Sequence, residues 1–140
     1  MRTRSRVSLI KIQLVSKRHH VEITETIKSY YENILQRPAS DDEANFWAEK
    51  VDAGEYDLGQ IRDAFINSPE GQHVQDIVRL YQGSFNRVPD AGGLKSWVQS
   101  GRPLDEIAEG FTNSDEFDET FLEYVGPYLF GTIWAAVLAL

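Results

Sequence analysis

The stretch IVRLYQGSFNRVPDAGGLKSW, residues 77–97, decides the fold because it repeats IKSYYENILQRPASDDEANFW, residues 27–47, fifty positions earlier. The shift pairs residues of the same kind: Ile27 with Ile77, Tyr31 with Tyr81, Leu35 with Phe85, Arg37 with Arg87 and Trp47 with Trp97. After a slightly shorter loop the match continues: Gly54 with Gly101, Leu58 with Leu104, Ile61 with Ile107, Phe65 with Phe111, Asn67 and Ser68 with Asn113 and Ser114, and Glu70 with Glu116. Agreement of so many residue types in unchanged order predicts two tandem copies of one module.

Each copy is predicted to form three helices. The first covers about residues 22–36 and again about 72–86, where apolar residues recur at helical spacing. Capping and closing signals mark the other two: Ser40 and Asp90 start the second helix, while Gly54 and Gly101 precede the third. No strand pattern of comparable length occurs in residues 21–140. We therefore expect an all-α fold in which two three-helix repeats form one bundle around a single shared core.

The composition adds a basic arm before the repeats. The division is residues 1–20 for the arm, 21–71 and 72–121 for the repeats, and 122–140 for an apolar C-terminal segment. The arm contains six basic residues and no acid, namely Arg2, Arg4, Arg6, Lys11, Lys17 and Arg18. The remainder, with eight basic and twenty-two acidic residues, sums to −14, although the whole chain is only −8. Such an acidic body repels phosphate backbones, so no nucleic-acid partner is predicted.

The arm itself is predicted to be a flexible or docking tail. Partial alternation at Ile10, Ile12 and Leu14 suits a short strand that pairs with a partner, and a disordered lead is the alternative. The apolar stretch is interrupted by Lys11 and Gln13 and lacks a small-residue cleavage site, so it makes a poor signal peptide.

The C-terminal segment is uncharged from Tyr124 to Leu140. We expect it to form an additional apolar helix, buried against the core or against a partner, with a membrane anchor as the alternative. The predicted partner-docking residues are Tyr128, Phe130, Ile133 and Trp134.

The candidate binding residues are the recurring arginines and aromatics Arg37, Trp47, Tyr81, Arg87 and Trp97, together with Asp90. An arginine after the first helix can cap carbonyls or fork onto a carboxylate of the next helix, and the same fork can hold an anionic sugar or a partner's acid. The tryptophans can stack on a sugar or anchor an interface, but their helical spacing favours core packing. Carbohydrate binding through the Arg87 turn therefore stays open beside a structural role.

No catalytic or metal site is predicted. The chain has no cysteine, its three histidines lack metal-ligand spacing, and no catalytic triad, phosphate loop or dinucleotide motif occurs. Two acidic runs could supply calcium ligands, namely Asp41 to Glu43 and Asp115, Glu116, Asp118 and Glu119. Neither has EF-hand spacing, so helix N-terminal charge is the preferred interpretation. We expect no cofactor and no enzyme activity.

The run from Leu80 to Trp97, continuing to Phe117, resembles the bacterial family of domains of unknown function numbered 4214. The shared features are a Leu-Tyr helix, an Arg-x-Pro-Asp turn, a Gly-Leu-x-x-Trp helix and a closing Phe-x-x-Ser-x-Glu-Phe. The similarity covers residues 77–121 well and residues 27–71 more loosely, because Pro38 is shifted and Gly71 replaces the closing phenylalanine. It implies a module of secreted and surface-associated bacterial proteins with no established activity, and hence an extracellular or cell-surface location.

A weaker similarity links the chain to the helical linker domains of phycobilisomes, the cyanobacterial light-harvesting antennae. The leading hypothesis is a non-catalytic assembly or adhesion module that binds another protein or a second copy of itself. The alternatives are a carbohydrate-binding module of an extracellular protein that takes a polysaccharide, and a membrane-linked or antenna-type linker subunit held by residues 124–140.

Overall fold

A computed structural model of the chain describes residues 2–124 and Pro127, and it confirms the all-α prediction, since the described residues include no strand. Six helices follow in order: α1 Arg2–Ile34, α2 Asp41–Asp52, α3 Leu58–Asn67, α4 Pro69–Phe85, α5 Ala91–Gln99 and α6 Leu104–Thr112. Residues 115–124 are helical as well.

Helix α1 is much longer than predicted. It runs from Arg2 to Ile34 without interruption, so the strand and the disordered lead expected over residues 7–15 are both wrong. The alternation at 10, 12 and 14 is too short to specify a strand, whereas Val7, Ile10 and Leu14 also fit helical spacing. No glycine or proline occurs between Arg2 and Ile34, so nothing in the local sequence ends the helix earlier.

The start signals of α2 and α5 work as the sequence predicts, and α3 begins with a capping box as well. Ser40 accepts a hydrogen bond from the Glu43 backbone N–H, and the Glu43 side chain accepts one from the Ser40 backbone N–H, which completes a capping box. Asp57 forms the same box with Gln60 before α3. Asp90 accepts from the Gly93 backbone N–H at 2.8 Å before α5. These caps fix where each helix begins.

The buried side chains form one cluster in each of two compact units, Met1–Gln72 and His73–Leu140. The first cluster comprises Ile23, Ile27, Tyr31, Leu35, Ala44, Ala48, Ile61 and Phe65. The second comprises Ile77, Tyr81, Phe85, Ile107 and Phe111. The prediction of a single shared core is therefore corrected to one core per unit. Three helices with apolar stripes enclose an interior of their own, and Ile27 and Ile77 are each completely buried in one of them.

The predictions for the C-terminal segment concern residues that mostly lie outside the described range. Tyr128, Phe130, Ile133 and Trp134 lie outside the described residues, as does most of the predicted C-terminal helix. Among the helices of residues 2–124, none is both long enough and apolar enough to cross a lipid bilayer.

Candidate functional site

Arg37 lies in the turn between α1 and α2, and its guanidinium binds two carboxylates. Gln36, with φ of 59°, reverses the chain after α1 and turns Arg37 toward the starts of α2 and α4. The Nε of Arg37 donates to Glu70 at 2.5 Å, and its two terminal nitrogens donate to the two carboxylate oxygens of Glu43 at 2.9 and 3.2 Å. The guanidinium also lies over the Tyr31 ring, 4.8 Å from its centroid. Of the roles predicted for this arginine, the structure shows the fork onto carboxylates.

The charges of this cluster stabilise one another. Hydrogen bonds from Arg37, and then from the Ser40 backbone N–H, lower the pKa of Glu43 from 4.5 to about 2. The hydrogen bonds that Arg37 donates to Glu43 and Glu70 raise the pKa of Arg37 above its usual value. Arg37 is consequently occupied by the chain's own acids, and its pairing joins the ends of three helices.

Trp47 packs inside the first unit. Its indole N–H donates to the Tyr31 hydroxyl at 3.2 Å, and its ring meets the edge of Phe65 at a centroid distance of 5.6 Å. Tyr31 is buried, with 5% of its surface exposed, and this burial raises the pKa of its phenol. The contacts are those of a packed core tryptophan and leave the indole N–H occupied by a neighbouring side chain.

Arg87 occupies the corresponding turn of the second unit, after Asn86 with φ of 50°. Its Nε and one terminal nitrogen donate to the two carboxylate oxygens of Glu116 at 2.6 and 3.0 Å. The other terminal nitrogen donates to the Val88 carbonyl at 3.2 Å. The hydrogen bond from Arg87 lowers the pKa of Glu116. Over the Tyr81 ring, the guanidinium lies 5.2 Å from the centroid.

The two turns differ in one carboxylate. Where the first copy has Glu43, the second has Gly93, which offers no side chain. Asp90 immediately precedes α5, but its carboxylate caps that helix, and this hydrogen bond lowers its pKa. Within the part of the chain that the structure describes, Arg87 pairs with Glu116 alone.

Tyr81 and Trp97, predicted as aromatic neighbours of Arg87, border a small cavity of about 160 Å³. Its other lining residues are Phe85, Gly110, Phe111, Ser114 and Glu116. Tyr81 is buried, whereas Trp97 is half-buried and presents its ring edge to Phe111 at a centroid distance of 5.4 Å. Tyr81 thus lies beside both Arg87 and Trp97, although Arg87 does not line this cavity, and Asp90 faces its own helix start.

Three of the acids in the two acidic runs form ion pairs with described residues. Asp41 lies 3.3 Å from Lys28, while Glu43 and Glu116 hold the two arginines. No group of three or more metal-ligating side chains occurs among the described residues. Sequence reasoning missed the role of Glu70, because its partner Arg37 lies 33 positions away; the aligned acids Glu70 and Glu116 are the signal that could have found it.

Two exposed apolar surfaces were also missed. The arm half of α1, residues 6–20, has six aliphatic side chains whose surface is more than half exposed to solvent: Val7, Leu9, Ile10, Ile12, Leu14 and Val15. In the second unit, a groove of about 320 Å³ runs between α4 and residues 115–124, with Phe117, Phe121 and Tyr124 in its wall.

The comparisons with known proteins give a family for one part of the chain. Residues 15–75 match the family described as Domain of unknown function (DUF4214). The motif of residues 77–121 predicts that the second copy resembles the family more closely. The matched residues, 15–75, instead cover the first copy. The second copy and the similarity to phycobilisome linkers stay predictions. No curated protein and no solved structure matches the chain.

Proposed function

We propose that the chain is a non-catalytic assembly module, and that the arm half of α1 docks onto a second copy of the chain. The observation that carries the proposal is the exposure of this half-helix, residues 6–20. Each of its six aliphatic side chains is at least 55% exposed, and all six lie within residues 7–15. Apolar side chains clustered in this way on a surface mark an interaction site.

Five of the six exposed aliphatic side chains form two stripes on the helix, and Val15 lies between the stripes. Val7, Ile10 and Leu14 recur at helical spacing and form the first stripe. Leu9 and Ile12 form the second, which continues down the helix to the buried core residues Ile23 and Ile27. At 3.6 residues per turn, the two stripes lie roughly 160° apart around the axis. The arm half of α1 is therefore apolar on two opposite sides.

This two-sided pattern favours a protein partner over a membrane. A helix that lies on a bilayer has one apolar face and one polar face, so only one stripe would be buried. The basic residues of the arm lie between the stripes, Arg6 and Lys17 on one side and Lys11 and Arg18 on the other. A helix of this kind suits a cleft with two apolar walls and acidic rims.

The chain itself supplies the complementary charge. The arm carries six basic residues and no acid, and the remainder sums to −14. None of Arg6, Lys11, Lys17 and Arg18 forms an ion pair within the described residues. Two arms would repel each other, whereas an arm and the acidic surface of another copy attract. Such contact between unlike surfaces is heterologous and produces rings or chains of subunits.

The expected strength follows from the buried area. Burying three aliphatic side chains contributes roughly 4–9 kcal/mol, at about 1.5–3 kcal/mol each. Association costs on the order of 4–15 kcal/mol, so one stripe alone gives weak binding at best. Both stripes together are needed for a stable assembly.

Sedimentation equilibrium of the full chain tests the proposal. We expect wild-type protein to associate at about 0.15 M salt and to dissociate partly as the salt is raised, because screening weakens the attraction of arm and body. Ile10→Gln and Leu14→Gln remove one stripe while keeping the helix, and each should weaken association by about tenfold or more. Val88→Gln, at a side chain that is 66% exposed in the second unit, is the matched control and should leave association unchanged.

Two results would overturn the proposal. One is a wild-type chain that stays monomeric at every concentration. The other is a monomer that binds vesicles containing phosphatidylserine and loses this binding in Leu14→Gln, which would assign the arm to a membrane surface.

A further inference from the structure

We propose that Arg87 binds an acidic side chain of a protein ligand, in the position that Glu43 occupies beside Arg37. The site lies in the second unit and does not involve the arm of α1. It therefore stands or falls independently of the assembly proposed above.

The two arginine turns share all their main contacts except one carboxylate. Arg37 and Arg87 both follow a residue with positive φ, both lie over a tyrosine ring, and both hold a carboxylate from the start of a later helix, Glu70 or Glu116. Arg37 then binds a second carboxylate through both terminal nitrogens. Arg87 has the same donors, but its side chain is 41% exposed and no second acid meets it within the described chain.

The start of α5 has no side chain that can give Arg87 a second carboxylate. Positions 92 and 93 of α5 are both glycine, and Asp90 already accepts the Gly93 backbone N–H at 2.8 Å. A Cβ on Gly93 would lie 2.9 Å from the Tyr81 hydroxyl, so a glutamate cannot replace this glycine without moving Tyr81. At Arg87 the corresponding terminal nitrogen donates only to the Val88 carbonyl among the described residues, and the side chain is 41% exposed. A carboxylate from outside can form the same two charge-assisted hydrogen bonds there.

An apolar cavity lies beside the carboxylate that holds Arg87. Glu116 lines this cavity of about 160 Å³ together with Tyr81 and Trp97, whereas Arg87 lines a separate groove with Gln82, Asn86 and Val88. The walls of the cavity are mainly aromatic, with Phe85 and Phe111 nearly buried. Pockets that enclose a whole small ligand usually measure about 300–1,000 Å³, so this cavity suits a single apolar side chain. The combination favours a peptide segment with neighbouring apolar and acidic residues over a polysaccharide.

The test follows the arginine Nε–H signals of the full-length, ¹⁵N-labelled chain by NMR. The probes are the dipeptide N-acetyl-Leu-Glu-amide, its glutamine counterpart N-acetyl-Leu-Gln-amide, and trigalacturonate. With the glutamate peptide we expect the Arg87 signal to shift to saturation while the Arg37 signal stays in place. The glutamine peptide and equal ionic strength of sodium chloride should move neither signal.

Variants give the second readout. Arg87→Gln should weaken binding of the glutamate peptide by about tenfold or more, since a charge-assisted pair contributes about 1.5–3 kcal/mol. Arg102→Gln, at another exposed arginine of the same unit, is the matched charge control and should bind like wild type. The double variant Gly93→Glu with Tyr81→Phe supplies an internal acid in the space that the hydroxyl vacates, and it should block binding. Its matched control is Gly93→Gln in the same Tyr81→Phe background, which lacks the added charge and should bind the glutamate peptide more tightly than the double variant.

The proposal would be overturned if Arg37 and Arg87 shifted alike, if the glutamine peptide bound as well as the glutamate peptide, or if no probe moved Arg87. A saturable shift with trigalacturonate but not with the peptide would also overturn it, and would assign the site to an acidic sugar.

Discussion

The indole N–H of Trp47 donates to the hydroxyl of Tyr31 at 3.2 Å, joining α2 to α1 inside the first core. The second unit places Trp97 and Tyr81 at the aligned positions, yet no described residue forms a hydrogen bond with the Tyr81 hydroxyl. That hydroxyl lies against Gly93 instead. The same pair of residue types thus serves different contacts in the two units.

Because of this difference, replacing the tyrosine with phenylalanine should lower the free energy of unfolding more in the first unit than in the second. Tyr31→Phe leaves the partly buried indole N–H of Trp47 without its acceptor, so the free energy of unfolding should fall by about 1 kcal/mol. Tyr81→Phe removes no hydrogen bond to a described residue and should change it by less than about 0.5 kcal/mol. Urea denaturation followed by circular dichroism measures both. Equal losses would show that the hydrogen bond contributes nothing specific to the first core.

Two glycines with open surroundings predict opposite effects of one substitution. Gly54 has φ of 71° in the turn after α2, and a Cβ there would meet no atom within 4 Å. Gly54→Ala should therefore cost about 1 kcal/mol through backbone strain alone. Gly83 lies inside α4 with equally open space, so Gly83→Ala should stabilise by about 0.5–1 kcal/mol through helix propensity. Thermal unfolding of the two variants checks the sign of each change, and two changes of the same sign would contradict the assignment.

The features that are predicted correctly from the sequence depend on residues that lie close together in the chain. The capping box of Ser40 and Glu43 and the left-handed Gly54 depend only on residues within one turn, and both appear as expected. The carboxylate fork of Arg37 is one of two roles predicted for that side chain. Its partner Glu70 comes from a helix that begins 32 residues later, so only the folded structure could identify it.

The misses have physical causes as well. Ile10, Ile12 and Leu14 fit a strand and a helix about equally over such a short span, and no tertiary contact in the described chain decides between them. The number of cores depends on packing between helices, which the repeat pattern does not encode: a duplicated module is compatible with one shared interior or with two. Ile61 and Ile107, aligned in the sequence, are each completely buried in a cluster of their own.

Replacing arginine with lysine should reduce stability more in the first turn than in the second. Arg37→Lys replaces a fork that serves two carboxylates with a point charge that cannot bind both in a bidentate manner, so we expect a loss of about 1–2 kcal/mol. Arg87→Lys affects one partly exposed pair and should cost less than about 1 kcal/mol. Chemical denaturation of the two variants under identical conditions measures the difference. A larger loss for Arg87→Lys would mean that the second turn contributes more to stability than its contacts indicate.

Glu43 predicts how stability changes in acid. Its pKa is lowered to about 2 in the folded chain, from an ordinary value of 4.5, mainly by the hydrogen bonds of Arg37. A carboxyl with a lowered folded pKa stabilises the fold while it is ionised, so its contribution is fully present above pH 4.5 and is lost as the pH falls toward 2. The side chain is 36% exposed, and solvent screening reduces the expected contribution to about 1 kcal/mol. In Glu43→Gln this titration is absent while the other acids remain, so the wild-type free energy of unfolding should fall by about 1 kcal/mol more than that of the variant between pH 5 and pH 2. Urea denaturation at a series of pH values compares the two curves, and parallel curves would show that Arg37 does not hold Glu43 in its ionised form.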